Sequence, residues 1–192
     1  MPRTDNTHFY SCAIKKHGVS PKALHWNSFY SQHVRFYAIA SLLPQNLLDF
    51  SIVDAGCGFG DFYIFLKNEK LIPKKYIGLE ILPNMAKIAS KNCNQKIIIC
   101  DILNDNLPKS DFYVCSGAMN ILTPDETLKF ITKCYEASKK GFIFNLLEGV
   151  DDGGIYNTFN IEEIVKTLKQ ICENITVKND YLDDDFTIRM LK

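Results

Sequence analysis

One run constrains this chain more than any other: Val53-Asp54-Ala55-Gly56-Cys57-Gly58-Phe59-Gly60. It follows the apolar stretch 51–55 (SIVDA) and precedes a segment, 61–70, whose apolar residues recur at helical spacing. A glycine-rich turn between strand and helix lets the backbone approach a ligand closely and sets helix amides beside it. Such a turn also serves tight strand–helix packing, so its neighbours decide what it means.

The neighbours continue the alternation. Residues 76–80 (YIGLE), 96–100 (KIIIC), 111–115 (DFYVC) and 141–147 (GFIFNLL) read as further strands. Pro83 suits the first turn of a helix, with Met85, Ile88 and Ala89 on its apolar side. Thr123-Pro124-Asp125-Glu126 is a helix start, with a cap residue, an early proline and two acids near the positive end of the dipole. That helix is expected to reach about Ser138, and another covers 161–172. The tail predicts two strands, 175–182 and 186–191, about an acidic turn. Apolar strands alternating with helices imply a parallel sheet covered on both faces. The expected fold is α/β, Rossmann-like and doubly wound, with a mostly parallel seven-stranded sheet and an antiparallel last strand. No linker or repeat divides the chain, so one domain is expected over 1–192. Its core would span 51–192, and 1–50 would form an N-terminal helical extension or lid with a helix near 28–43.

Charge narrows the class of partner. Lys and Arg number 22, balanced by 22 Asp and Glu. A protein that grips a nucleic-acid backbone usually carries a basic excess or a basic stripe with interleaved aromatics, and neither occurs here. The charge is uneven: residues 148–192 hold ten acids and five bases. No apolar run approaches the roughly 20 residues that span a bilayer, and the first ten residues show no apolar signal region. The seven cysteines are odd in number, form no C-x-x-C pair, and in part sit inside apolar runs. They argue for a reducing cytoplasm and against a disulfide framework or a metal cluster. The paired Asp151 and Asp152 lack any accompanying ligand spacing, so no metal is expected.

Three acids close successive strands. Asp54 lies two residues before the first glycine, where it can hold polar ligand groups directly or through water. Glu80 ends the next strand, where an acid accepts hydrogen bonds from ribose hydroxyls. Asp101 follows the third, within reach of an adenine amino group. Each alone suits a turn or cap; together with the glycines they point to a nucleoside ligand in the crevice at the strand ends.

These segments resemble the class I methyltransferases. VDAGCGFG is similar to that family's first motif, GLE to its second, CDI to its third and SDFYVCSGAMNIL to its fourth, over roughly residues 50–147. The resemblance implies S-adenosylmethionine as ligand and S-adenosylhomocysteine as product. It implies Gly56, Cys57 and Gly58 near the methionine moiety, Glu80 with Ile81 at the ribose, Asp101 and Ile102 at the adenine, and the Cys115 backbone near the amino group. The flanks, with Leu24-His25-Trp26, Gln32 and Arg35-Phe36 at one end and Asp180-Tyr181-Leu182 and Asp185-Phe186-Thr187-Ile188 at the other, resemble a group of small bacterial methyltransferases.

On the N-terminal helix, Gln32, Arg35, Phe36, Ile39 and Leu43 share one side. A partly buried arginine needs a partner. Two are open for Arg35: the methionine carboxylate of the cofactor, or a carboxylate of the protein. No general base stands out. His25, His33, Asn120 and Tyr156 are the candidates, each also suited to plain packing or surface duty. Tyr10, Trp26, Tyr30 and Tyr156 are candidates for an aromatic pocket wall, and the acidic loop 148–160 for a cover over substrate.

Two other classes compete. A nicotinamide-dependent oxidoreductase would show G-x-G-x-x-G, whereas the spacing here is G-x-G-x-G after Asp54. A cofactor-binding module without catalysis fits the same residues. The Asn/Asp-Pro-Pro-Tyr motif that resembling enzymes use on amide or base nitrogens is absent, with Ser116-Gly117-Ala118-Met119-Asn120 in its region. The expectation is methyl transfer to a small-molecule acceptor.

Overall fold

A computed structural model describes Asp5, Phe9, Lys16, Gly18, residues 29–150 and residues 154–192. The elements run α1 (Phe29–Leu42), β1 (Ser51–Ala55), α2 (Asp61–Asn68), β2 (Lys75–Glu80), α3 (Pro83–Cys93), β3 (Lys96–Ile99), β4 (Ser110–Cys115), α4 (Pro124–Ala137), β5 (Ser138–Glu148), β6 (Thr158–Phe159), α5 (Ile161–Leu168), β7 (Asn174–Lys178) and β8 (Asp185–Leu191). The strands form one sheet in the order β3-β2-β1-β4-β5-β8-β7, with β6 on β5. All pairings are parallel except those of β8, which runs antiparallel between β5 and β7.

The expected mostly parallel sheet with an antiparallel last strand holds, with one addition. The sheet has eight strands rather than seven. β4 pairs with β5 only as far as Phe144, so β5 overhangs it, and the two residues of β6 cover that exposed edge at Leu147 and Glu148. A two-residue strand carries too little periodicity to be read from sequence.

Alternation along the strands builds two apolar layers. Val53, Tyr113, Phe142, Phe144, Phe186 and Ile188 face α4 and α5, where they meet Phe130, Ile131, Ile164 and Leu168. Ile52, Tyr76, Phe112, Val114 and Ile143 face α1 and α2, where they meet Phe36, Ile39, Phe62 and Phe65. Local chemistry sets the helix ends. At α4, Thr123 Oγ1 accepts from the Glu126 amide (3.3 Å), and the Glu126 carboxylate accepts from the Thr123 amide (3.1 Å). The cap expected at Thr123 is thus reciprocal, with Glu126 answering it. α3 ends at Asn94, whose φ of 50° turns the chain away.

Candidate active site

The strand order reverses between β1 and β4, and a crevice opens outside the carboxyl ends there. It is a cavity of about 660 Å³ whose wall includes Gly56, Glu80, Ile102, Ser116 and Tyr156.

Its floor is the glycine turn. The amides of Gly56 and Cys57 both donate to the Leu79 carbonyl at 2.9 Å, which folds the turn back onto β2. Gly56, Gly58 and Gly60 all have positive φ, a region disfavoured for residues with a Cβ. At Gly56 a Cβ would also stand 2.3 Å from the Ala118 Cβ. Cys57 tucks against the bare Gly78, where a Cβ would come within 2.6 Å of its sulfur. Burial, and then the nearby carboxyls of Asp54 and Glu80, push the Cys57 thiol up, so it packs as an apolar group.

The acids sit where the strand ends place them. Asp54 is 3% exposed and accepts from the Tyr76 hydroxyl at 2.5 Å. Glu80 is 5% exposed and accepts from the amides of Gly58 and Leu82, both at 3.0 Å. Burial pushes each carboxyl up to about 7, against the lowering effect of those hydrogen bonds. Asp101 is half-buried and caps its own turn, accepting from the Leu103 amide (2.9 Å) and the Asn104 side chain (2.7 Å). Ile81 and Ile102 line the cavity beside them.

Not every candidate reaches the cavity. Cys115, expected to act through its backbone, has its side chain in the core, and Ser116, one residue on, lines the wall. His33 is not in the wall; it packs among Phe29, Phe36 and Phe65, edge-on to Phe65 at 5.6 Å between centroids. Its place on the flank of α1 turned away from Arg35 accounts for this. Asn120 and Tyr156 do line the cavity, Tyr156 at 41% exposure. His25, Trp26, Tyr10 and the pair Asp151 and Asp152 lie outside the described residues. Among the described residues, no group of His, Cys, Asp or Glu is placed to hold a metal ion.

Of the two partners open to Arg35, the structure shows the protein carboxylate. Nε donates to Asp185 Oδ1 at 2.6 Å, and Nη2 bonds Asp185 Oδ2. Because β8 is antiparallel, its first residue, Asp185, lies beside Leu147 at the carboxyl end of β5, at the site. Other members of the wall were also missed in the sequence. Asp61, at the start of α2, accepts from Gln32 Nε2 at 3.0 Å, and burial raises its carboxyl. Behind Ser116, the buried Asn145 bonds Ser116, Tyr181 and Thr187 at 2.8, 3.2 and 2.6 Å.

Residues 52–141 match the family model for a methyltransferase domain. That stretch runs from β1 to the start of β5 and takes in the glycine turn and all three acids. The chain shares the Rossmann-like fold of three solved S-adenosylmethionine-dependent methyltransferases. The magnesium protoporphyrin IX methyltransferase of Synechocystis, with S-adenosylhomocysteine bound, superposes with a TM-score of 0.73 at 14% identity, covering 97% of both chains. A Thermotoga maritima S-adenosylmethionine-dependent methyltransferase, described as a possible histamine N-methyltransferase, gives 0.69 at 18% identity over 96% of this chain and 98% of its own. A Leishmania major S-adenosylmethionine-dependent methyltransferase gives 0.71 at 14% identity, over 96% and 83%. No curated protein matches the sequence. No helix among the described residues is long and apolar enough to cross a membrane.

Proposed function

We propose that this chain transfers a methyl group from S-adenosylmethionine to a small-molecule acceptor, leaving S-adenosylhomocysteine. One observation carries the reading: within a methyltransferase domain, the glycine turn and the carboxyl groups of Asp54, Glu80 and Asp101 converge on one crevice at the strand reversal. The donor set fits that cofactor. Glu80 keeps lone pairs beyond its two amide bonds for the ribose diol. Asp101 and Ile102 flank the place of the adenine, with Ile81 beside Glu80. Gly56, Cys57 and Gly58 receive the methionine moiety, and Asp54 holds its polar groups. Bound there, the cofactor supplies an electrophilic methyl group on a sulfonium.

The chain's own work is orientation and exclusion of water. Positioning the acceptor in line at roughly 3–3.5 Å from the methyl carbon supplies much of the rate. Positive charge disappears as the reaction proceeds, so a dry wall favours it. α1 contributes to that wall through Gln32, Arg35 and Phe36. Arg35 is committed to Asp185, and we assign it to holding α1 against β8 rather than to the methionine carboxylate. Six buried, free cysteines support a place in the reducing cytoplasm.

Calorimetric titration with S-adenosylmethionine and with NAD, on the native chain and Glu80→Ala, tests the reading. Micromolar binding of the former, weakened at least tenfold in the variant, is expected. Binding of NAD alone, or of neither, would overturn it. Tight binding with no turnover on any acceptor would leave a cofactor-binding module without catalysis.

A further inference from the structure

The hydrogen bonds behind Ser116 fix what that side chain can offer to the cavity. Asn145 lies 2.8 Å from the Ser116 hydroxyl on its oxygen side, and 3.2 and 2.6 Å from the hydroxyls of Tyr181 and Thr187 on its nitrogen side. Those two hydroxyls also bond each other at 2.8 Å. This amide orientation makes four hydrogen bonds. The opposite orientation makes at most three, because a hydroxyl that donates its one proton to Asn145 cannot also donate it to its neighbour. Asn145 is 2% exposed and Thr187 fully buried, so the lost bond has no water to replace it. The Ser116 proton is therefore spent on Asn145. Toward the cavity Ser116 presents only lone pairs, and it recognises a group that carries a hydrogen to donate.

Ser116 directly follows β4 at the strand reversal, between the crevice of β1 and β2 and the half of the cavity beyond β5. Glu148 and Asp184 stand in that second half, joined through the Glu148 amide and the Asp184 carbonyl at 3.0 Å. Among the described residues of the cavity wall, Arg35 is the one basic side chain, and Asp185 already pairs with it. Among the described residues, a carboxylate or phosphate acceptor would meet acids there and no free counter-charge.

Building on the methyltransferase reading, we propose that the acceptor is a small amine whose attacking nitrogen donates an N–H to Ser116, with Asn145 as the positioning residue behind it. The amine reacts in its neutral form, having left a proton to water, and that bond aims its lone pair at the methyl carbon. The lone pair forms the C–N bond as the C–S bond breaks, and the sulfur keeps that electron pair as a thioether. The N-methylammonium product then gives up a proton to water. Glu148 and Asp184 suit a second, protonated amine of the same molecule.

The test uses the full chain loaded with S-adenosylmethionine, after calorimetry has confirmed binding. Its probes are 1,4-diaminobutane and phenethylamine, with 1,4-butanediol and phenylacetate as matched controls, and mass spectrometry reads the methylated product. N-methylation of an amine, with the controls inert, is expected. Ser116→Ala should raise the KM for the amine or lower kcat/KM by about 10- to 100-fold, the range of one hydrogen bond to a nitrogen that becomes charged as it is methylated. Its affinity for S-adenosylmethionine should stay within about twofold, and Asn145→Ala, which frees the Ser116 proton, should lower kcat/KM for the amine with cofactor affinity likewise kept. O-methylation of a control with the amines inert would overturn the proposal, as would amines that are neither methylated nor raise the Tm of the loaded protein. An equal loss of cofactor affinity in Ser116→Ala would move Ser116 to the cofactor and also overturn it. Absence of cofactor binding at the first step would instead bring down the methyltransferase reading itself. The probe panel needs no variant, so a poorly folding Ser116→Ala leaves the test intact.

Discussion

Single residues at the glycine turn carry two separable constraints, backbone conformation and close approach. At Gly56 the φ of 78° and the approach of Ala118 act together. Gly56→Ala should lower stability by about 3 kcal/mol or more, of which about 1 kcal/mol is the left-handed backbone. Adding Ala118→Gly removes the clash and should restore all but that smaller part, read from urea midpoints of the two variants. Equal midpoints for single and double variants would show that Ala118 is not the obstacle. Asp54 supplies a second prediction, in pH. Its folded carboxyl is raised from 3.8 to about 7, so between those values the unfolded chain has lost a proton that the folded chain keeps. Stability from this group is present below about pH 4 and falls as pH rises toward 7. Asp54→Asn should flatten that slope and gain about 1–3 kcal/mol at pH 8. An unchanged slope would mean that Asp54 is ionised in the folded protein. Glu80 carries the same strain, and its ionised form is the one that accepts from a diol. Cofactor affinity should therefore rise between pH 6 and 8, by up to about tenfold per unit below 7, with a proton released on binding. A flat calorimetric profile would contradict this. Asp54, Glu80 and Asp101 were legible because each closes an apolar run, a one-dimensional signal. Asp185, Asn145 and Tyr181 were not. The Arg35–Asp185 pair joins residues 150 apart, and the Asn145–Tyr181 pair residues 36 apart, and no local pattern announces either partner.

Among the elements, α1 is fastened to the sheet in two ways. Phe36, Ile39 and Leu43 supply apolar burial, and Arg35 supplies the bidentate pair with the head of β8. A buried pair broken on one side leaves an uncompensated charge. Arg35→Met and Asp185→Leu should each cost about 3–5 kcal/mol, and the double variant distinctly less than their sum. The double variant should keep cofactor affinity within a few-fold, whereas a loss as large as that of Glu80→Ala would put Arg35 on the methionine carboxylate. The single Arg35→Ala change does not separate these readings, because it also strands Asp185. The helices were legible to within a few residues where caps are explicit, as at Thr123, and less so where they are not. The helix expected over 161–172 stops at Leu168, since its apolar positions run on into a turn without a strong stop signal. β6 escaped notice because it exists only to cover the overhang of β5.

The whole molecule divides its labour across one sheet. Strands β1 to β3 present the acids and the glycine turn, and β4, β5 and β8 the Ser116–Asn145 network and the Arg35 anchor. This division follows from strand order; the alternation of strands and helices implied a parallel, doubly wound sheet but not that order. The side-chain network laid across it depended on register, which only the three-dimensional pairing supplies. The position of β8 has a further consequence for how the molecule is made. The strand that comes eighth along the chain is sixth across the sheet, wedged between β5 and β7. As the ribosome delivers the chain, β7 emerges with no neighbour to bond, the flank of β5 stays open as a bare edge, and the anchor of α1 does not yet exist. The nascent chain therefore carries an unpaired, aggregation-prone edge until residues 185–191 arrive, and the binding crevice closes in the same event that seals the sheet.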